Sequence, residues 1–378
     1  MKILFSSKSS FNLYNYRLPL LRYLKSKGHE IILVGLEDQT TEFLKDEFEF
    51  FSLKNLKVNS LNPLNSISYL RELINIYKKI KPDIVVNITI KAHINSSFAC
   101  QILNIPYITL VTGLGSAFSN KKTKILSIIL YKLSQRKAKK VIFQNPCDME
   151  YFITKNIIKK TQVSLIRGSG IDTEYFNLKH FKDIIFKKDK NKKVFLFLGR
   201  LIKEKGIQEL VEAGKLLYQK NKNFEIHILG FIDYDNPNFI DKRTFKKIKN
   251  YPFIKYLGSS LDVRPYIANA DCTVLPTYYN EGLPRSLLEA MSMERIIITT
   301  NICACKDLVI EDKNGYFVKP KDIKSLYLKM EKVLNLPQKK IENMGKFARK
   351  FVKDNFSLEK ILPLYEKEIM ESLDEKNI

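Results

Sequence analysis

Pro276-Thr277-Tyr278-Tyr279-Asn280-Glu281-Gly282-Leu283-Pro284-Arg285-Ser286-Leu287-Leu288-Glu289-Ala290 joins a short apolar run to a helical pattern. The run before it, Cys272–Pro276, reads as a buried strand. Residues 284–293 read as a helix, with Pro284 in the first turn, where proline is tolerated. Ile296–Thr299 follows as another apolar strand. Strand, loop, helix and strand at this spacing make a βαβ unit, and βαβ units build parallel sheets. The polar loop carries Glu281, and at Gly282 backbone can approach a ligand closely. The helix start points unpaired N–H groups and partial positive charge at that loop, which suits a phosphate. Glu289 lies about one and a half turns into the helix. One carboxylate could reach a sugar while the other reaches a ribose diol. Either glutamate alone reads better as an ordinary solvated carboxylate; the whole strand–loop–Pro–helix arrangement does not.

The same alternation extends through the chain. In the first half, residues 2–5, 30–35, 83–87, 107–111 and 141–144 read as strands. Residues 18–27, 68–81, 94–103 and 125–138 read as helices. In the second half, residues 194–198, 224–229 and 254–257 read as strands, with helices at 206–219 and 263–269 and a long helical region at the C-terminus. The expected fold is α/β, with two doubly wound, Rossmann-like domains facing across a cleft. The expected boundaries are residues 1–175, 176–356 and a terminal helix, 357–378, crossing back to the first domain. Ile166-Arg167-Gly168-Ser169-Gly170-Ile171-Asp172 and the basic stretch through Lys193 read as the hinge between domains. Ligands of such sheets bind beyond the carboxyl ends of the strands.

Composition sets outer limits. The chain has 378 residues, 45% hydrophobic and 28% charged, enough for a core in each of two globular domains. Its net charge is +24, which implies an anionic partner: nucleic acid, a membrane surface or a phosphorylated substrate. Abundant Lys, Ile and Asn throughout offer a blander account of part of that excess. The five cysteines, Cys100, Cys147, Cys272, Cys303 and Cys305, contain no CxxC pair and read as reduced thiols of a cytosolic protein. Met1–Phe5 is too short for a signal-peptide core, and no apolar run approaches the ~20 residues of a membrane span. Zinc-finger ligands, an RRM-type aromatic motif and a basic region on heptads are all missing, which weighs against a nucleic-acid-binding protein.

A second segment adds cations. In Phe197-Leu198-Gly199-Arg200-Leu201-Ile202-Lys203-Glu204-Lys205-Gly206, Arg200 emerges at a strand end and Lys205 at the next helix start. Two cations fixed at one turn could clamp a diphosphate, though a solvated basic loop reads the same way.

Glu281-x7-Glu289 together with Gly199-Arg200…Lys205-Gly206 resembles the retaining glycosyltransferases of family 4, which have the GT-B fold. Ser169-Gly170-Ile171-Asp172-Thr173-Glu174-Tyr175-Phe176 and Asn314-Gly315-Tyr316-Phe317-Val318 extend the resemblance over nearly the whole chain. Tyr14…Arg17-Leu18-Pro19, Lys91-Ala92-His93 and Val111-Thr112-Gly113-Leu114-Gly115-Ser116 resemble one branch. Its members are bacterial enzymes that add N-acetylhexosamine to undecaprenyl-diphosphate-linked saccharides. The resemblance implies that Arg200 and Lys205 bind the donor diphosphate, Glu281 the sugar and Glu289 the ribose. Gly282, Leu283, Pro284 and Gly113 would support the donor. Tyr14, Arg17, Lys91 and His93 would line the acceptor side. Many members carry Gly-Gly after the first strand, where this chain has Ser6-Ser7-Lys8-Ser9-Ser10. Many also carry a His where it has Thr112-Gly113. Of four histidines, His93 is the catalytic candidate, in a strand–helix loop, with a backbone-bonded loop histidine as the other reading.

Residues 121–140 hold eight basic residues and no acidic one. Ile125, Ile128, Ile129 and Leu133 can line one helical face, with Lys121, Lys122 and Lys124 beside it. That pattern suits an interfacial helix on an anionic leaflet, and equally a core helix with solvated lysines. The resulting expectation is a metal-independent transferase, without cofactor, using a UDP-sugar (UDP-N-acetylgalactosamine) and a polyprenyl-diphosphate-linked saccharide. It would be a monomer, cytoplasmic and peripheral on the inner face of the cell membrane. Rival expectations are another UDP-sugar donor and a nucleotide-sugar epimerase.

Overall fold

Apolar runs short enough to be strands, each followed by a helix, leave the sheets covered on both faces. The computed structural model of the protein describes residues 1–58, 60, 62–115, 118, 121–181, 191–234 and 238–374. Ser116 of the first-half motif, the stretch 182–190 and the side chains of Lys121 and Lys122 lie outside the described residues. The first half forms β1 (Lys2–Ser9), α1 (Ser10–Ser26), β2 (Glu30–Leu36), α2 (Thr41–Lys45), β3 (Glu49–Ser52), α3 (Pro63–Ile80), β4 (Ile84–Ile88), α4 (Ile90–Leu103), β5 (Tyr107–Val111), α5 (Lys121–Ser134), β6 (Lys140–Phe143), α6 (Pro146–Thr154) and β7 (Val163–Leu165). The second half forms β8 (Lys193–Leu198), α7 (Ile207–Lys220), β9 (Phe224–Leu229), α8 (Lys242–Lys249), β10 (Ile254–Tyr256), α9 (Arg264–Ala268), β11 (Cys272–Leu275), α10 (Arg285–Ser292), β12 (Ile296–Thr300), α11 (Cys303–Lys306), β13 (Gly315–Val318), α12 (Ile323–Leu334), α13 (Gln338–Phe356) and α14 (Leu358–Asp374).

The chain divides into two units. The first holds Met1–Gly170, Asn280–Leu283 and the chain from Leu358 onward; the second holds Ile171–Tyr279 and Pro284–Ser357. The first sheet runs β3-β2-β1-β4-β5-β6-β7 and the second β10-β9-β8-β11-β12-β13. Every pairing between named strands is parallel. Both sheets reverse their winding once, between β1 and β4 and between β8 and β11. A parallel sheet opens its ligand crevice at such a switch point.

Residues 171–175, expected with the first domain, group with the second. Arg349 Nη2 donates to the Thr173 carbonyl at 2.9 Å, and Ser292 Oγ donates to that of Phe176 at 2.7 Å. The Arg264 guanidinium lies 3.5 Å from the centre of the Tyr175 ring. In the first half the helices also start earlier than their apolar periods suggest. Asn62 accepts from the Leu64 N–H at 2.9 Å and Pro63 occupies the first turn, so α3 begins there. Cys100, Cys272 and Cys305 are buried thiols.

The first unit buries apolar side chains on both faces of its sheet. Alternate residues of β1 go to opposite sides, Ile3 and Phe5 to one and Leu4 to the other. Between α4 and its neighbours lies a polar network. Ser96 donates to Asn87 Oδ1, so the Tyr77 hydroxyl, 2.6 Å from Ser96 Oγ, must be the donor of that pair. Asn87 Nδ2 donates to Ser97 Oγ at 3.0 Å. Thr109 donates to Gln135 Oε1 at 2.7 Å, and Gln135 Nε2 donates to the His93 carbonyl at 2.7 Å. Each buried polar group here is answered by another, the condition for burying it cheaply.

Candidate active site

The second switch point is assembled from two strand ends. After β8 the chain passes Gly199 and Arg200 into a 3₁₀ turn, Lys203–Lys205. Gly206 follows at φ +76°, and a Cβ there would strike the Pro276 carbonyl, so no other residue lets the two strand ends approach this closely. The Glu204 carbonyl accepts from the Tyr278 N–H at 2.7 Å and from the Thr277 hydroxyl at 3.2 Å. These bonds lock the cationic turn onto the segment after β11. Arg200 and Lys205 then lie over one ring, with charge centres 5.5 and 5.9 Å from the Tyr279 centroid. Arg200 Nη1 also donates to Asp233 Oδ2 at 2.7 Å. Burial works to lower the guanidinium's pKa; Tyr279 and Asp233 outweigh it and hold it above its usual value.

Next to this turn in the sheet order, β11 leads to α10. Pro284 precedes its first residue and has no side chain able to cap it, so the helix turns the partial positive charge of its N-terminus to this side. Glu289, 13% exposed, pairs with Arg285 Nε at 2.9 Å, one helical turn back. Burial pushes the Glu289 carboxyl above its ordinary range, and Arg285 opposes that shift. The second unit thus brings Arg200, Lys205, Pro284 and Glu289 onto the carboxyl side of one sheet.

Glu281, Gly282 and Leu283 group with the first unit, and backbone contacts hold them there. The Gly282 N–H donates to the Thr112 carbonyl at 2.9 Å, and the Gly115 N–H to that of Asn280 at 2.9 Å. Asn145 Nδ2 lies 3.3 Å from the carbonyl oxygens of both Glu281 and Gly282. Gly113 sits at φ +118°, and a Cβ there would fall 2.6 Å from the Gly282 nitrogen. A Cβ on Gly282 would fall 2.6 Å from Gln144 Oε1. The two glycines therefore permit one close backbone crossing, which gives Gly113 a physical role in placing Glu281. Asn145 also donates to Asp148 Oδ2 at 2.8 Å. Burial raises the Asp148 carboxyl to about 6, with the Asn145 hydrogen bond opposing.

The four residues expected on the acceptor side fare differently. Tyr14 packs against Phe43, ring centroids 5.5 Å apart. Lys91 donates to the Ser60 carbonyl, and burial lowers its pKa. His93 lies in α4 rather than in a loop, and it is buried. Its Nε2 is 2.9 Å from the Leu110 carbonyl, which can only accept, so Nε2 carries the proton. Nδ1 then accepts from the Tyr131 hydroxyl at 2.6 Å. Burial drives the imidazole down to about 3, keeping it neutral, and both nitrogens are engaged within the fold. That geometry corrects the expectation of a catalytic His93: it is a core histidine. Arg17, on α1, is only 1% exposed.

Two family descriptions match successive parts of this chain: "Glycosyl transferase 4-like" over residues 2–145 and "Glycosyl transferases group 1" over residues 179–351. The chain belongs to the GT-B glycosyltransferases. It is 27% identical to the N,N'-diacetylbacillosaminyl-diphospho-undecaprenol alpha-1,3-N-acetylgalactosaminyltransferase of Campylobacter jejuni, over 98% of this chain and 99% of that one. It is also 27% identical to the UDP-Gal:alpha-D-GlcNAc-diphosphoundecaprenol alpha-1,3-galactosyltransferase of Escherichia coli, over 80% of each chain. Among solved structures, Anabaena HepE in complex with UDP and glucose superposes with a TM-score of 0.81 at 16% identity, covering 98% of this chain and 99% of that one.

No helix among the described residues of the glycosyltransferase is long and apolar enough to cross a membrane. On α5, Ile125, Leu126, Ile129 and Leu133 are between 47% and 55% exposed. Ile128, expected on that face, packs against the core instead, and Leu126 takes its place. Lys124 turns back over the Tyr151 ring at 5.0 Å. Sequence reading gave no role to Asp233, Asn145 or Tyr279. Tyr279 sits inside the stretch that decided the fold, whereas Asp233 lies 33 residues from the arginine it meets, with nothing local to mark it.

Proposed function

We propose that the glycosyltransferase is a retaining, metal-independent enzyme. In this reading it moves N-acetylgalactosamine from UDP-N-acetylgalactosamine to an undecaprenyl-diphosphate-linked saccharide in bacterial glycan assembly. The observation that carries it is the pair of cations, Arg200 and Lys205, held on one ring beside the N-terminus of α10. Such a constellation stabilises charge developing on a leaving diphosphate. The names of the Campylobacter and E. coli relatives supply the acceptor class, and the former supplies the sugar. Glu289 would hold the ribose and Glu281 the sugar. The leaving diphosphate would accept the acceptor hydroxyl's proton on the face it departs from, so the α configuration is kept. The protein's part is orientation and electrostatics. The exposed apolar face of α5, with Lys132, Arg136 and Lys137 near its end, would rest the first unit on the anionic inner leaflet of the cell membrane.

The test is a panel of UDP-N-acetylgalactosamine, UDP-N-acetylglucosamine, UDP-galactose and UDP-glucose with a short-chain polyprenyl-diphosphate-linked saccharide, in EDTA. Product mass identifies the sugar, and the anomeric NMR coupling identifies the linkage. No product from any donor overturns the reading. A β product removes retention, and loss of activity in EDTA alone removes metal independence.

A further inference from the structure

Arg17 is a large charged side chain buried to 99%, and it has no ionic partner among the described residues. Its Nε and Nη1 are buried and make no hydrogen bond, and no carboxylate pairs with it among the described residues. Its contact of note is the Tyr365 ring, 5.7 Å from the guanidinium carbon. A ring face answers a cation's charge weakly and leaves its in-plane N–H groups unmet. Burying a cation in this way is strongly unfavourable unless something supplies the missing anion.

The position narrows what that anion is. Tyr365 donates to the Gly168 carbonyl at 2.7 Å, just beyond β7, and Gln144, which follows β6 directly, lies 3.4 Å from the same hydroxyl. The guanidinium is therefore at the carboxyl edge of the first sheet, the side on which parallel sheets bind ligands. His93, which feels the charge of Arg17, is held neutral and offers no counter-charge. The planar fork of a guanidinium matches phosphate oxygens two at a time.

We infer that Arg17 is the cationic floor of a diphosphate-binding subsite in the first unit, with the Tyr365 ring beside its guanidinium. The assignment of a diphosphate, rather than another oxyanion, rests on the proposed function. There, both substrates carry one, and the donor's already has Arg200 and Lys205. The subsite then falls to the diphosphate of the lipid-linked acceptor.

Isothermal titration of the full chain tests this with three probes: inorganic pyrophosphate, geranyl diphosphate and UDP. Arg17→Met keeps the length and apolar stem but removes the charge. It should melt no lower than the parent without ligand, because an unanswered buried cation has gone. It should lose at least tenfold in affinity for geranyl diphosphate and pyrophosphate while keeping that for UDP. A loss confined to UDP keeps the subsite and reassigns it to the donor. Unchanged affinity for all three probes overturns it, as does a parent chain that binds none of them. If Arg17→Met does not fold, Arg17→Lys decides. It retains the charge without the fork, so diphosphate affinity should fall part-way, and parent-like affinity overturns the subsite. A parent that binds geranyl diphosphate through Arg17 yet transfers no sugar in the donor panel refutes the functional reading and leaves the subsite standing.

Discussion

The two sheets share one winding order, yet their switch points carry opposite electrostatics. Between β8 and β11, each feature of the cationic turn is answered: Arg200 by Asp233, both cations by the Tyr279 ring, and the turn itself by the Glu204 carbonyl. Toward the carboxyl edge of the first sheet, charge is either suppressed or unanswered. His93 is kept neutral, Asp148 is pushed toward protonation and Arg17 is buried with no ion-pair partner among the described residues. One backbone plan thus yields a pre-formed, partly open cationic site and a closed one. The plan supplies the crevice; the side chains after the strands supply the chemistry.

The sharpest way to break that contrast is at the open site. Arg200→Ala and Lys205→Ala should each stay folded and lower turnover by ~10²–10³, the usual loss when one donor to developing charge is removed. Initial rates and UDP titration check this; parent-like rates in both variants would make the second site no richer than the first.

Asp148 probes the suppressed side. Its folded carboxyl titrates near 6 against an ordinary 3.8, so the folded state favours the protonated form. Stability from this group is therefore full below pH 4 and is lost as pH rises toward 6. Asp148→Asn should remove that slope. It should match the parent at pH 4 and exceed it at pH 7.5 by up to about 3 kcal/mol, the worth of a two-unit shift. Urea unfolding at both pH values decides; a variant no more stable at pH 7.5 means the carboxylate is answered after all.

Glu281 and Glu289 sharpen the contrast, since one groups with each unit. Glu281→Gln should lower kcat by about tenfold or more at saturating donor, because the sugar changes charge and shape in the transition state. Glu289→Gln should mainly raise the donor KM. Rates across donor concentration separate the two, and a reversed pattern exchanges their roles.

The smallest effect concerns α5. Ile129→Ser should leave the melt within about 0.5 kcal/mol, as for an exposed position. Lys137→Gln should cost about 1 kcal/mol of binding to anionic vesicles. A thermal melt reads the first and sedimentation with vesicles the second, and unchanged vesicle binding would leave α5 an ordinary surface helix.

Much of this was legible beforehand. Alternating apolar runs and helical periods imply two parallel sheets, and Pro276–Ala290 reads as strand, loop and helix because each residue type has a local reason to be there. The rest depends on contacts distant in sequence. Ser6–Ser9 look like a loop by composition, but they continue β1 because β2 and β4 pair beside them. Arg17 lies just before the expected helix 18–27, where an arginine ordinarily faces water; its burial follows from α14, more than 300 residues later. That residues 280–283 pack on Thr112 and Gly113 follows from two glycines in different halves of the sequence.

The polar network around α4 has a consequence for how this chain can change over time. Asn87, Ser96, Ser97, Gln135, Thr109 and Tyr77 each complete another's hydrogen bonds. Replacing one member strands its neighbour as a buried orphan, at about 1–3 kcal/mol, whereas replacing a complementary pair can be nearly neutral. Substitutions here should therefore be tolerated together and rejected singly, so that lineages cross between alternative networks by paired steps. A position in this group that looks immutable in one background becomes free in another once its partner has moved.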